Sequence, residues 1–338
     1  MAATLHDVAN LAGVSIKTVS NVVNDYPHIR PETRQKVQAA IDELGYQPNL
    51  SARSLRSGRS GVIGLVLPEL SLSYFAELAD AVIANAEKQG VVVLIEQTGA
   101  DRDREIAVLS SPRMRLTDGL IFSPLGMSQD DVGLLEVDFP MVLLGERIFG
   151  GPVDHVTMRN VEAAQAATRF LIDSGRRRIA VIGAHEGEVV GSAALRLRGY
   201  RDALQAAGIP YDPALVSHTT LWHRANGAAS MRELIDGGVQ FDAVFGLNDA
   251  LTLGALRVLQ EKGMRVPDDV AVMGFDNIDE AQYTVPSLST IDPGREQIAE
   301  RAVSLLVQRI REQARPSAPQ EVLIDFSVVP RESAPARA

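Results

Sequence analysis

The stretch Thr4-Leu-His-Asp-Val-Ala-Asn-Leu-Ala-Gly-Val-Ser-Ile-Lys-Thr-Val-Ser-Asn-Val-Val-Asn24 decides how this chain is read. Leu5, Val8, Ala9 and Ala12 recur at the spacing that puts apolar side chains on one side of a short helix. Gly13 stops that helix, and Ser15 supplies a cap for a second over residues 16–24. Only about three residues part the two, the separation a helix-turn-helix requires. A third helix is predicted over residues 32–44. Pro31 is its first residue, Val37, Ala40, Ile41 and Leu44 are its buried stripe, and Gly45 ends it. Pro48 then breaks the chain, and residues 49–56 have the length of one more short helix before Ser57-Gly58.

From Gly61 the pattern changes. Short β-branched runs (residues 62–67, 91–95, 119–122, 141–144, 179–183, 243–247 and 270–275) alternate with helical stretches such as 74–89, 161–173, 193–207, 225–235 and 249–262. Alternating strand and helix implies parallel sheets covered on both faces. About ten such strands are too many for one small sheet, so two α/β lobes are expected, with the change of lobe near residues 157–161. Residues 316–319 read as a turn, and residues 332–338 as a frayed tail.

Composition sorts the possible functions. Apolar residues make up 46% of the 338, charged residues 22%, and there is no cysteine. That is ordinary for a soluble protein and excludes disulfide frameworks and cysteine zinc sites. The net charge of -10 argues against nucleic acid until its distribution is considered. Residues 1–60 hold seven Lys/Arg against five acids, leaving -12 for the remainder. A basic module on an acidic body suits a DNA reader joined to something that is not one. The amino terminus shows no basic region followed by an apolar run, so no secretory signal is expected. Runs such as 61–67 have strand length and fall short of a membrane span.

Recognition helices present their first residues to base edges in the major groove. Here those are Ser15, Ile16 and Lys17, with Asn21 one turn on. Lys17 suits guanine acceptors, Asn21 adenine, and Ile16 a thymine methyl. Thr18, Ser20 and Asn24 suit phosphate contacts, which hold register without reading sequence.

The quoted segment closely resembles the headpiece of the LacI/GalR family of bacterial transcriptional regulators. The likeness continues in order through Arg30-Pro-Glu-Thr-Arg34, Ile41-Asp-Glu-Leu-Gly-Tyr-Gln-Pro-Asn49, Ala52-Arg-Ser-Leu55, Arg196-Leu-Arg-Gly-Tyr200, Asn248-Asp249, Val266-Pro-Asp-Asp-Val270 and Gly274-Phe-Asp-Asn277. It implies an α/β protein: an all-α helix-turn-helix headpiece and a two-lobed sensor, similar to periplasmic binding proteins, with parallel sheets. The expected division is 1–48 headpiece, 49–60 hinge, 61–160 with 292–324 one lobe, 161–291 with 325–332 the other, and 333–338 tail. Thr4 joins the DNA-binding set. The position of Asn21 is often arginine in the family, a departure that bears on guanine reading. Family hinges fold as a helix in the minor groove and wedge a leucine into a base step; Asn49, Ala52, Arg53 and Leu55 match that element. An apolar wedge beside arginine is the means by which minor-groove binders kink DNA.

The resemblance also places an effector cleft between the lobes, at Tyr74, Phe75, Ser123, Arg147, Ser192, Arg196, Trp222, Asn248, Asp249 and Asp276. These follow strand ends, where open α/β sheets bind ligands. Carboxylates that accept from vicinal hydroxyls, an arginine fork and one tryptophan face suit a sugar. Plainer readings stand beside these: Tyr74-Phe75 as core, Arg196 with Asp276 as a structural ion pair, Trp222 as a surface anchor, Arg147 as a loop cap. The expected protein is a cytoplasmic homodimeric repressor that binds a pseudo-palindromic double-stranded DNA operator under a sugar-like effector. A purine or nucleoside effector, or a solute-binding module without gene control, are the alternatives. No dinucleotide, phosphate-loop, nucleophile-elbow or zincin motif is present, so neither enzyme activity nor a cofactor is expected. His218 and His223 lack a third ligand, and no metal is expected.

Overall fold

A computed structural model describes residues 3–23, 26–46, 59–312 and 318–336. The chain divides into two compact units, Met1–Ser60 and Gly61–Ala338.

The first unit contains α1 (Leu5–Ala12), α2 (Ile16–Val23) and α3 (Pro31–Leu44). Thr4 and Asp7 cap α1 reciprocally: the Thr4 hydroxyl accepts from the Asp7 amide at 3.3 Å, and the Asp7 carboxylate accepts from the Thr4 amide at 2.9 Å. That satisfies two amides a helix start otherwise leaves open. Gly13, at φ 65°, ends α1 in the left-handed region. The Ser15 hydroxyl accepts from the Thr18 amide at 3.1 Å and starts α2. Helices this short are marginal alone, so their stability comes from a shared core. Val8, Val19 and Val37 are fully buried in it, with Ala9, Val22, Ala40 and Tyr46 around them.

The second unit runs β1 (Val62–Leu67), α4 (Ser73–Lys88), β2 (Val92–Gln97), α5 (Arg102–Leu109), β3 (Leu120–Phe122), β4 (Met141–Leu144) and β5 (Asp154–Met158). It continues with α6 (Asn160–Asp173), β6 (Ile179–Ala184), α7 (Ser192–Ala206), β7 (Val216–His218), α8 (Arg224–Asp236), β8 (Ala243–Gly246), α9 (Asp249–Glu261) and β9 (Ala271–Met273). The last elements are β10 (Thr290–Asp292), α10 (Arg295–Glu312), β11 (Glu321–Ile324) and β12 (Ser327–Val329). One six-stranded sheet has the order β11-β5-β4-β3-β1-β2, and one four-stranded sheet the order β7-β6-β8-β9. Every pairing in both is parallel, while β10 and β12 form a separate antiparallel ribbon. The chain leaves the larger sheet after β5, returns through β10 and α10, and leaves again between β11 and β12.

The central strands of both sheets are buried on both faces, which is why they read as continuous apolar runs, while the edge strands β2 and β11 expose Val92, Leu94 and Leu323. In β1, Ile63, Leu65 and Leu67 meet Leu78, Val82, Ile298 and Leu306 from α4 and α10, while Val66 faces Val108, Phe122 and Ile148. In the smaller sheet, Val181 and Phe245 pack under Leu171 and Tyr200, and Ile182 and Val244 under Met231 and Leu259. Among the described residues, no helix is long and apolar enough to cross a membrane.

The expected tail differs at its start. Ser333 and Ala334 are buried. The Ser333 hydroxyl donates to the Val272 carbonyl at 2.7 Å and accepts from the Ser289 amide at 2.8 Å. Small polar residues look like a loose end in sequence, but here they complete the edge of the core beside β9. Part of the expected turn at 316–319 lies outside the described residues. Strand β5 escaped the sequence pattern because Asp154, His155 and Thr157 are polar yet buried. Arg309 neutralises Asp154 at 2.6 Å, His155 Nε2 lies 2.6 Å from the Gly145 carbonyl, and the Thr157 hydroxyl donates to Glu146 at 3.3 Å.

Candidate DNA-binding face and effector cleft

In the headpiece, α2 turns Val19 and Val22 inward, which leaves Ser15, Ile16 and Lys17 exposed at its start. Ile16 is 46% exposed, a large apolar side chain held out on a polar face. Asn21, one turn beyond Lys17, is half-buried. Thr18 is also half-buried, and its hydroxyl lies 2.9 Å from that of Ser15. Ser20 does not sit where a phosphate contact needs it. It is only 6% exposed, because it follows Val19 on the side of α2 that packs into the core. Thr4 is exposed, with its hydroxyl donated to Asp7 at 2.7 Å. That bond, with the Thr4 amide, holds the Asp7 carboxyl below its usual range. Asn24, Asn49, Ala52, Arg53 and Leu55 lie outside the described residues.

In the second unit, the strand ends converge on a cleft with about 620 Å³ of unfilled space including its mouth. Tyr74, Phe75, Ser123, Ser192, Arg196, Trp222, Asn248 and Asp276 line it. Arg196, on α7, is 3% exposed and held from several sides. Its Nε donates to Asn160 Oδ1 at 2.8 Å, its Nη1 donates to the Leu247 carbonyl, and Nη1 lies 3.6 Å from Asp276 Oδ1. The guanidinium also lies 3.6 Å from the Phe275 ring centroid and 5.3 Å from that of Trp222. Its geometry is therefore fixed before any ligand arrives.

Trp222 donates its indole N–H to the Gly183 carbonyl at 2.9 Å, which orients the ring in the lining of the cleft. Gly183 has φ 110°, and a Cβ there would come 2.6 Å from the Leu251 side chain and 3.3 Å from the indole nitrogen. Asn248 caps α9, accepting from the Leu251 amide at 2.8 Å and donating to the Trp222 carbonyl at 3.2 Å. Tyr74 and Phe75 form an edge-on pair, with centroids 5.2 Å apart.

Asp276 is the electrostatic centre of the cleft. It stands at φ 117°, a strained region for a residue with a Cβ. Arg295 donates to its backbone carbonyl at 3.2 Å. Burial pushes the Asp276 carboxyl up to about 7; Arg196 and Arg295 pull against that shift, and Glu146 and Glu77 add to it. Burial and the same Asp276 and Glu146 carboxylates raise the Tyr74 phenol.

Two expected members do not line the cleft. Asp249 is fully buried beneath it, where one oxygen accepts from the Thr290 hydroxyl at 2.7 Å and the other from the Ile278 amide at 3.1 Å. Both oxygens are occupied in holding α9 against the loop after β9. Arg147 is committed beside the cleft rather than lining it: its Nε donates to the Met127 carbonyl at 3.2 Å, and its Nη1 pairs with Glu188 at 3.0 Å.

Sequence reasoning missed Glu146, Thr157, Met158 and Leu125, which also line the cleft. Glu146 was within reach of the strand-end rule, since it is the first charged residue after β4. It accepts from the Thr157 hydroxyl at 3.3 Å and from the Ser192 hydroxyl at 2.5 Å. The loop carrying Leu125 is held by Glu105, a fully buried carboxylate that accepts from the amides of Leu125, Gly126 and Met127 at 2.7–3.0 Å. Further links join the two sides of the cleft: Arg147–Glu188, His223–Glu69 at 2.8 Å, Arg224–Glu280 at 2.8 Å beside Ser73, and Asp279 N–H to Glu77 at 2.9 Å.

Comparison with known proteins gives a consistent result. Residues 4–49 match the family described as bacterial regulatory proteins, lacI family, and residues 168–334 match a periplasmic binding protein-like domain. The HTH-type transcriptional regulator CelR of Thermobifida fusca is 36% identical over 343 residues, covering 98% of each chain. The HTH-type transcriptional repressor PurR of Histophilus somni (strain 129Pt) is 32% identical, covering 93% of this chain and 94% of its own. Among solved structures, a LacI-family regulator from Sanguibacter keddieii DSM 10542 is 50% identical with a TM-score of 0.77, over 82% of this chain and 99% of that one. A complex of the regulator CelR with cellobiose has 33% identity and a TM-score of 0.72, over 98% and 99%. The lac repressor dimer bound to operator and the anti-inducer ONPF has 28% identity and a TM-score of 0.82, over 99% and 100%.

Proposed function

We propose, for a chain that belongs to the lacI family of bacterial regulatory proteins, a homodimeric DNA-binding repressor whose operator affinity is set by a sugar bound in the cleft of its second unit. Ser15, Ile16, Lys17 and Asn21 read base edges from α2, and Thr18 helps hold register on the phosphates. A two-fold dimer requires a pseudo-palindromic operator, one headpiece to each half-site. Asn49, Ala52, Arg53 and Leu55 form the hinge that enters the minor groove. The chain works where that DNA is, in the cytoplasm, and catalyses nothing; its relatives are regulators.

One observation carries the sugar reading. The buried Arg196–Asp276 pair lies in one cleft with the half-buried Trp222 ring, 5.3 Å from the Arg196 guanidinium. A fixed acceptor pair, held in place by the arginine, serves adjacent hydroxyls, and the indole in the lining meets the apolar carbons of a sugar ring. The cellobiose-bound relative supports the same class. Binding of sugar and operator must then be coupled reciprocally, by about 1–3 kcal/mol. The test is a thermal-shift and gel-shift screen of the full chain with cellobiose, glucose, maltose, hypoxanthine and guanine. A sugar that raises the midpoint and changes operator affinity supports the reading. A purine that does both, with every sugar inert, replaces it with the second reading. That alternative draws on Tyr74 and Phe75 in the lining and on the purine-repressor relative.

A further inference from the structure

The charges of the cleft are unbalanced. Among the described lining residues there are two carboxylates, Glu146 and Asp276, and one cation, Arg196. Arg196 already serves Asn160, the Leu247 carbonyl and Asp276. The nearby arginines are committed too: Arg147 to Glu188 at 3.0 Å, and Arg295 to Glu77 at 2.7 Å. Glu146 is 4% exposed and has two hydroxyl donors, Thr157 and Ser192, but no cationic partner among the described residues. Hydroxyls satisfy a carboxylate's lone pairs without cancelling its charge. The field of Glu146 reaches across the cleft, where it opposes ionisation of Asp276 and of the Tyr74 phenol.

We infer that Glu146, facing the same cleft as Asp276, restricts this site to uncharged polyhydroxylated effectors and excludes their phosphate esters. This rests on the sugar reading above and narrows it. A neutral polyol brings hydroxyl donors, which the two carboxylates accept. A phosphate brings acceptors and a double negative charge into a poorly solvated space whose one described cation, Arg196, already has its charge engaged by Asp276. Glu146 acts as the specificity-determining group because its charge is the one left uncancelled. Ser192, which donates to it from α7, sets its orientation.

The test is calorimetry on the full chain with matched pairs: glucose and glucose 6-phosphate, cellobiose and cellobiose 6′-phosphate. The neutral member of the pair that binds should be favoured by on the order of 100-fold. Glu146→Gln keeps an acceptor for Thr157 and Ser192 but removes the charge. Its gap should narrow by about tenfold while binding of the neutral sugar weakens. Ser192→Ala leaves both carboxylates in place, so it should lower affinity and preserve the gap. Circular dichroism verifies that each variant folds, and the wild-type gap is decisive without them. An ester that binds as tightly as its parent overturns the inference while leaving the sugar reading intact. So does a gap unchanged in Glu146→Gln or lost in Ser192→Ala, since discrimination would then be steric. Binding of hypoxanthine with no response to any sugar overturns the sugar reading itself, and this inference with it.

Discussion

Effector affinity should depend on pH through Asp276. Burial pushes this carboxyl up to about 7 in the unliganded protein, against the pull of Arg196 and Arg295 and with help from Glu146 and Glu77. A sugar hydroxyl donates to the ionised form, so binding draws that form out of the equilibrium. At about pH 8 the group is about nine-tenths ionised, and at about pH 6 about one-tenth. Affinity should therefore fall about tenfold between those values, about 1.4 kcal/mol, and by about tenfold for each further unit downward. At about pH 6 and below each binding event should release close to one proton, which calorimetry in buffers of different ionisation enthalpy reads directly. Stability has the opposite sign. A carboxyl raised in the folded state from 3.8 to about 7 contributes stability that is full below the lower value and is lost as pH rises through the higher one. The unliganded protein should lose stability over that window, and a bound sugar should counter the loss. Asp276→Asn should bind weakly and show neither pH dependence nor proton release. Asp249→Asn, whose side chain does not reach the cleft, should retain both. A wild-type affinity that is flat between about pH 6 and 8, with no proton released, would refute the assignment of Asp276 as the ionised acceptor.

Three more outcomes can be stated. Lys17→Ala should cost about 1–3 kcal/mol on the best operator and relax preference at one symmetric pair of positions; an equal loss on every sequence in a binding-site selection would reduce Lys17 to a phosphate contact. Glu105→Ala strands the buried Met127 amide and the partly buried amides of Leu125 and Gly126, and should lower unfolding free energy by about 1–3 kcal/mol in urea titration, with weaker effector binding because Leu125 rides on the freed loop. Leu55→Ala should lower operator affinity and DNA bending in a gel-shift assay while sparing effector affinity; an unchanged bend would leave residues 49–56 as a tether.

Periodicity exposed those elements whose burial follows polarity. The helices of the headpiece and strands such as Val62–Leu67 and Met141–Leu144 have apolar inner faces, and their bounds could be read within a residue or two. Asp154–Met158 could not, because its polar side chains are paid for by partners distant in sequence, Arg309 among them. Ser333 was hidden for the same reason: its partners are Val272 and Ser289. Short-range pattern carries no record of such pairings.

The cleft separates these two kinds of information more sharply. Asp249 and Asp276 each follow a strand of the smaller sheet, and the strand-end rule treats them alike. Their difference is made by Thr290 and the Ile278 amide, which occupy both oxygens of Asp249. Among the described residues the Asp276 carboxyl has no such hydroxyl or amide donor, with an arginine at 3.6 Å, and its backbone is held at φ 117° with its carbonyl gripped by Arg295. Glu146 and Arg147 pose the same problem one residue apart. The two lie in a bend after β4, opened by Gly145 at φ 89°, and there the carboxylate faces the cleft while the guanidinium pairs with Glu188. A strand-end rule selects the loop; the bend within it, and the partners each side chain meets there, select the residue: Thr157 and Ser192 for Glu146, the Met127 carbonyl and Glu188 for Arg147.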